Sequence, residues 1–324
     1  MWENIDIDRH YTGMFQILDE PISGELIYNK QNGTILLSLI KEVNSKSFFG
    51  KSYGTQPIIT GKLNTGAVVT LFNNRCSNNH TQAFSNQHIV FVSEYMIWSN
   101  SESIDSTYNK MVCTLKNAYQ WSSFSAFEET ETGIKAKDTV DKKTYNWFGA
   151  KIIFYSYLND SLFVPPREEE TKIVQHLVLE IETTEKHSVE TFVSIRNKVL
   201  SLISFAIKNN VNIEEQYLCD YDDSYLIANK YKDYHKHYLY TSEVTLDILK
   251  TRSWNYNFWL NDLPEEKDIN SELKKLEPVF NLYLSLIKYQ DMPSEMVFLN
   301  MVQALETFHS RFFWDQILCR HRQT

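Results

Sequence analysis

Arg75 and His80 stand at the two ends of Arg-Cys-Ser-Asn-Asn-His. These residue types suit metal-independent RNA cleavage, where a guanidinium polarises a phosphate and an imidazole moves protons. That chemistry wants both groups on one helix face, opposed across a dimer. Here they follow the strand-like AVVTLF in an asparagine-rich stretch. The expectation is a polar loop, in which four intervening residues fix no common face.

Asp233, His235 and His237 alternate within KYKDYHKHYLY. On a strand they would share a face and could offer three metal ligands, although a solvated face backed by aromatics explains them equally simply. Glu128, Glu129 and Glu131 could pair carboxylates for glycoside chemistry, with Trp121 and Trp147 stacking on sugars. Yet ETETGIKAKDTVDKK is polar and turn-like, with nothing to bury a carboxyl and raise its pKa. The densest aromatic cluster, TRSWNYNFWL, alternates Trp254, Tyr256 and Phe258. That pattern fits a strand with one face in a core, or a stacking platform. The sequence has no glycine-rich phosphate loop, no G-x-S-x-G and no H-E-x-x-H, so neither a cofactor nor a catalytic centre is expected from motifs.

A formal charge of −9 argues against a free-standing nucleic-acid binder, which needs a basic face. Cys76, Cys113, Cys219 and Cys319 are widely spaced and form no CxxC pair, so neither a disulfide framework nor a zinc knuckle is indicated. The polar start MWENIDIDRHYTG lacks the layout of a signal peptide, and no apolar run approaches the ~20 residues of a membrane helix. A soluble, cytoplasmic chain without a membrane partner is expected.

These residues must be positioned by an α+β chain. Residues 1–165 read as β-rich, a sandwich or open barrel of seven or so short strands. GELIYNK and TILLSLIKEV flank Asn32-Gly33, while PIITGKL and AVVTLF flank Asn64-Thr65-Gly66; both are hairpin signals. NQHIVFVSEYMIWS, YNKMVCTLK and AKIIFYSYL supply further strands. FVPPREEETK then marks a boundary, and residues 166–268 form a mixed α+β region. Within it HLVLEIET is a strand, and Val189–Asn209 is a helix with Phe192, Ile195, Val199, Leu202, Ile203 and Ala206 on one face. Residues 269–324 are helical: one segment at Leu273–Tyr289, interrupted in composition by Pro278, and another from Ser294, the expected N-cap, to Trp314. In the second, Phe298, Val302, Leu305 and Phe312 follow three-and-four spacing.

Taken in order, GELIYNKQNGTILLSL, PIITGKLNTGAVVTLF, HIVFVSEYMIWS, YNKMVCTLKNAYQW and the late EMVFLNMVQALETFHSRFF resemble the N-terminal domain of ApeA-type anti-phage proteins. There the chain runs into the opening helix of a HEPN domain, and the string from Ala304 to His309 is the most specific part of the likeness. The resemblance implies a role in abortive infection, with a β-rich region that senses or regulates and a C-terminal HEPN ribonuclease acting on RNA, tRNA-like substrates included. It also implies an R-x4–6-H dyad on a later helix. Arg311 and His321, or Arg320 and His321, do not fit that spacing. No dyad is carried over, and this chain alone is not expected to be an enzyme.

Glu306 and His309, one turn apart on the opening helix, could line a site formed with later helices or simply occupy its polar face. On this reading the helical domain is incomplete, through natural truncation, frameshift or cutting. The chain would then be a regulatory or sensing module, open to a phage-derived trigger, with self-association or another partner at its C-terminal helices. The alternative is a β-sandwich protein that binds a ligand such as carbohydrate without catalysis.

Overall fold

The computed structural model describes residues 10–42, 53–81, 86–99, 107–131, 133–137, 140–158, 174–219, 236–243, 256–264, 270–288 and 292–312. Its strands are β1 His10–Ile17, β2 Glu20–Asn29, β3 Thr34–Glu42, β4 Thr55–Leu63, β5 Val68–Thr81, β6 Asn86–Val92, β7 Tyr95–Ser99, β8 Thr107–Lys116, β9 Phe127–Thr130, β10 Gly133–Ala136, β11 Lys142–Trp147, β12 Ala150–Leu158, β13 Gln175–Ser188, β14 Asn212–Cys219 and β15 His237–Thr241. The helices are α1 Tyr119–Ser122, α2 Val189–Ile207, α3 Asn270–Lys288 and α4 Ser294–Phe312, with a 3-10 turn at Leu260–Asp262. None of the described helices is long and apolar enough to cross a membrane.

The chain forms two compact units, each drawn from separated segments: Met1–Tyr108 with Gln216–Thr245, and Asn109–Glu215 with Leu246–Thr324. The expected division at 165 and 268 follows sequence order instead. Long-range strand pairing accounts for the difference, since β15 adds to β7 antiparallel, placing Leu239 opposite Ile97.

In the first unit, six antiparallel strands close a ring in the order β5-β4-β1-β2-β3-β6, with β6 returning to β5. A closed barrel thus replaces the expected sandwich or open barrel, and closure removes two sheet edges. β5 makes this possible by its length. Val68–Phe72 pairs with β7, Val68–Arg75 runs along β4, and Arg75–Thr81 pairs with β6 across a register shift between Cys76 and Asn78. Such a bulge bends a strand and sharpens its twist, which lets one strand serve three neighbours.

Alternate residues point inward, as a half-buried ladder requires: Ile35, Leu37 and Leu39 on β3, and Phe15 and Ile17 on β1. At Gly61 an added Cβ would sit 2.6 Å from Cε1 and 3.1 Å from Cγ of Phe15. The Phe15 ring therefore lies against bare backbone, a packing that only glycine permits.

Both expected hairpins are present, closing at Asn29–Thr34 and through Gly66, whose φ of 91° suits glycine. The β1–β2 hairpin carried no such signal. It turns on Leu18 and Asp19, both at positive φ (50° and 64°), where Asn-Gly is the usual choice. The stretch read as one strand over 86–99 is two. It breaks at Ser93, whose N–H bonds the Ile35 carbonyl at 3.0 Å and whose hydroxyl bonds Asn74 Oδ1 at 2.6 Å.

The second unit carries a sheet in the order β11-β12-β13-β8-β14 and a separate β9–β10 hairpin. α2 lays the expected Phe192, Ile195, Val199, Leu202, Ile203 and Ala206 into the core, all buried. α3 runs on through Pro278 rather than breaking there. Proline removes one backbone donor within the helix, and the flanking turns carry it. α4 begins at the expected Ser294, but the first helical bond runs from Val297 N–H to the Pro293 carbonyl at 3.0 Å. Pro293 is therefore the capping position, and the Ser294 hydroxyl reaches only the Glu295 carboxylate at 3.4 Å.

Replacing Gly61 by Ala should displace Phe15 and destabilise the protein by about 1–3 kcal/mol, the cost of overpacking a well-filled core. A lowered urea midpoint with an unchanged slope would register this. An unaltered midpoint would mean that the Phe15 ring is free to move.

Candidate functional site

The strongest electrostatic feature lies on the sheet of the second unit. Lys110 of β8 is buried with its ammonium 3.2 Å from Glu180 and 2.9 Å from Glu182 of β13. Lys151 of β12, directly opposite Glu182 in the ladder, approaches that same carboxylate at 2.9 Å. Two residues apart on one strand, Glu180 and Glu182 face the same side, so a single ammonium can bridge them. Two carboxylates and two ammoniums leave the cluster balanced.

The two acids titrate in opposite directions. Burial pushes the Glu180 carboxyl up, with neighbouring Lys110 pulling it back only in part. Burial also acts on Glu182, but hydrogen bonds from Lys151 and Lys110 outweigh it and hold that carboxyl at about 2. For Lys110, burial disfavours the charge, yet the attraction of Glu180 and the bond to Glu182 win and raise its pKa. The arrangement pins three strands together and can hold a proton on an inner carboxyl.

Composition and motif gave no warning of this cluster. A signal was present nonetheless: Glu180 and Glu182 interrupt the apolar run HLVLEIET, and Lys110 interrupts YNKMVCTLK. Arg196 was likewise missed. It sits on the apolar side of α2, fully buried, with Nε and a terminal nitrogen donating to Asn197 Oδ1 at 3.0 and 2.7 Å.

The residues nominated from sequence are scattered. Arg75 and His80 lie on β5, a continuous strand and not the loop expected, because β6 pairs along it. Their ladder partners are Val92 and His88, so the two positions are four pairs apart, roughly 13 Å along the strand. Of the Asp233, His235 and His237 set, the first two lie outside the described residues. His237 opens β15 opposite Leu218, with its ring 5.3 Å from that of Tyr108. Glu128, Glu129 and Glu131 are exposed at the β9–β10 hairpin.

Trp121 and Trp147 are both 0% exposed. Trp121 donates to the Phe258 carbonyl at 3.0 Å, and Trp147 stacks on Tyr145 at 4.2 Å. Neither offers a face to a sugar. Trp254 lies outside the described residues, while Tyr256 and Phe258 belong to irregular chain before the 3-10 turn and not to a strand. The reason is local: Asn257 between them donates its N–H to the Ala206 carbonyl at 2.8 Å and its amide to the Phe205 carbonyl at 2.7 Å. Those carbonyls are among the last of α2, which have no partner within the helix.

Glu306 and His309 are exposed on α4. The apolar side of that helix is exposed too: Phe298 is 66% accessible, Met301 52%, Leu305 68% and Phe308 37%. At 100° per residue these four fall within roughly 80° of one another. Val297, Asn300, Ala304 and Thr307 form a neighbouring, half-buried side, on which Asn300 approaches Ser285 of α3 at 3.5 Å. α4 thus turns a half-buried side of mixed polarity toward α3 and leaves an apolar side exposed.

Replacing Lys110 by Met should destabilise the protein by about 3–5 kcal/mol, because two buried carboxylates lose their shared counter-charge. The pH response should separate the acids. Glu182 is depressed on folding, so its contribution is complete above the unfolded value of 4.5 and fades as pH falls toward about 2. Wild type should therefore lose its advantage over Glu182→Gln across that window. Glu180 is raised on folding, so wild type should lose stability relative to Glu180→Gln as pH climbs from 4.5 through its raised pKa. Thermal melts of the three variants against pH would check both signs.

Residues 10–271 match the family model for ApeA N-terminal domain 1. No curated protein and no solved structure matches the chain. The six-stranded barrel, the sheet of the second unit with α2 and the start of α3 all fall within the matched span, and the chain belongs to the ApeA N-terminal domain 1 family, which points to an anti-phage defence protein.

Proposed function

We propose that this chain is the sensing or regulatory part of a defence protein, and that it carries no ribonuclease centre of its own. The family assignment supports the defence context. The observation that carries the regulatory reading is the solvent-exposed seam of α4, joined through α3 to the folded body. Exposed apolar patches of this kind mark interaction sites. The helix face therefore passes a state of the sensing region to an effector, and RNA is cut only where a complete HEPN domain is engaged.

The positions of the nominated residues agree with this division of labour. Arg75 and His80 are spaced along a strand rather than gathered on a helix face, and Glu306 and His309 are on an exposed part of α4. A sugar-binding role loses Trp121 and Trp147 as platforms, because both are enclosed.

The test is RNA integrity in cells induced for this chain, beside an Arg75→Ala/His80→Ala double variant. The expected result is intact tRNA from both. Cleavage by the parent and not by the variant would place an active site on β5 and overturn the proposal.

A further inference from the structure

β11 ends the sheet of the second unit. In the order β11-β12-β13-β8-β14 it has β12 on one side and, among the described residues, no strand on the other. Which of its backbone groups face outward follows from the turn that joins it to β12. Phe148 and Gly149 both take positive φ, 57° and 74°, as the central residues of a two-residue hairpin turn do. Such a turn makes Trp147 and Ala150 a hydrogen-bonded pair, and bonded pairs then alternate along the ladder. Tyr145 therefore bonds to Ile152, and Lys143 to Phe154. Lys142, Thr144 and Asn146 turn each N–H and C=O away from β12, toward the open edge.

The side chains along that edge say what it admits. Lys142 and Asn146 are exposed, Thr144 is half-buried, and Val140, just before the strand, is 42% exposed. An open row of backbone donors and acceptors is a template for one more strand. Lysine on an edge usually keeps other strands away. Here both lysines stand at the start of β11, and residues 144–147 carry no charge. The edge thus admits a strand along its uncharged length and selects for acid at one end. β11, β12 and β13 pair antiparallel, so an antiparallel addition continues the sheet, with its C-terminal end beside Lys142. A nucleic-acid strand fits poorly, because Tyr145 and Trp147 are both fully buried and β11 offers no aromatic face to a base. The end of β11 also lacks an acceptor. The indole N–H of Trp147 is buried with no partner among the described residues, and a bound segment's carbonyl is the kind of group that satisfies it.

We infer that the β11 edge receives an extended segment of another protein by antiparallel strand addition, with β-branched residues along 144–146 and acidic residues at the segment's C-terminal end. Backbone bonds supply the affinity, and the lysines set the direction. This surface is separate from α4 and does not depend on how that helix is read.

Amide exchange of the whole chain, resolved residue by residue, tests the edge before any ligand is added. The amides of Lys143, Tyr145 and Trp147 should be protected, while those of Lys142, Thr144 and Asn146 should exchange about tenfold faster or more. Equal protection of both sets would mean that the edge is already covered, and would overturn the inference.

The probe is a fluorescent hexapeptide, Val-Thr-Val-Thr-Glu-Glu, beside a counterpart ending in Lys-Lys. Saturable binding of the acid-ended peptide below about 1 mM is expected, with exchange slowed at Lys142, Thr144 and Asn146. Thr144→Pro removes an outward N–H that the β12 ladder does not use. The melting temperature should hold while affinity falls about tenfold. Lys142→Glu should remove the preference for the acidic end. Binding that survives Thr144→Pro, or no binding of either peptide, contradicts strand addition at β11. A preference unchanged by Lys142→Glu contradicts its orientation.

Discussion

Phe205 is the point on which the C-terminal half of the second unit depends. It lies half-buried in the last turn of α2, and its ring meets Phe280 at 4.7 Å and Tyr283 at 5.1 Å, both on α3. Its own carbonyl is bonded by Asn257, so backbone and side chain are held at once. α3 hangs from this aromatic contact, and α4 packs in turn on α3. The placement of α3, and of α4 upon it, therefore depends on this contact with α2. Edge-to-face aromatic packing of this kind resists rotation of α3 more than aliphatic contact would.

The charged cluster serves the same end from below. Lys110, Glu180, Glu182 and Lys151 tie β8, β13 and β12 together on a sheet whose strands come from distant parts of the chain. An apolar core would hold that sheet with less electrostatic cost. What a buried ion network adds is selectivity of pairing: a one-residue slip of β13 would turn both carboxylates to the opposite face and leave Lys110 buried alone. Register in the sheet and direction in the helices are thus fixed by different physics, one electrostatic and one steric.

Much of the fold was legible because its signals are local. Asn32-Gly33 and Asn64-Thr65-Gly66 announce their hairpins, and the period of α2 announces its buried face. Closure was not legible, because it depends on the bulge between Cys76 and Asn78, which lets β5 leave β4 for β6. The β1–β2 hairpin was hidden for a different reason: Leu18 and Asp19 adopt positive φ without glycine, against their own preference. The segment around Tyr256 imitates a strand in its alternation, yet Asn257 is recruited to cap α2, and a cap has no period to read. The ion cluster was visible only as charges breaking apolar runs. The seam of α4, by contrast, was plain in the spacing of Phe298 and Leu305, although its exposure could be learned only from the fold.

If the outward face of α4 carries function and the β5 residues do not, the two can be separated in cells that hold the defence protein. Plaque formation should be measured with Leu305→Glu and with Arg75→Ala/His80→Ala beside the parent. Loss of protection with Leu305→Glu, and protection kept by the double variant, is the result predicted. Protection kept by Leu305→Glu and lost by the double variant would contradict the account at its centre.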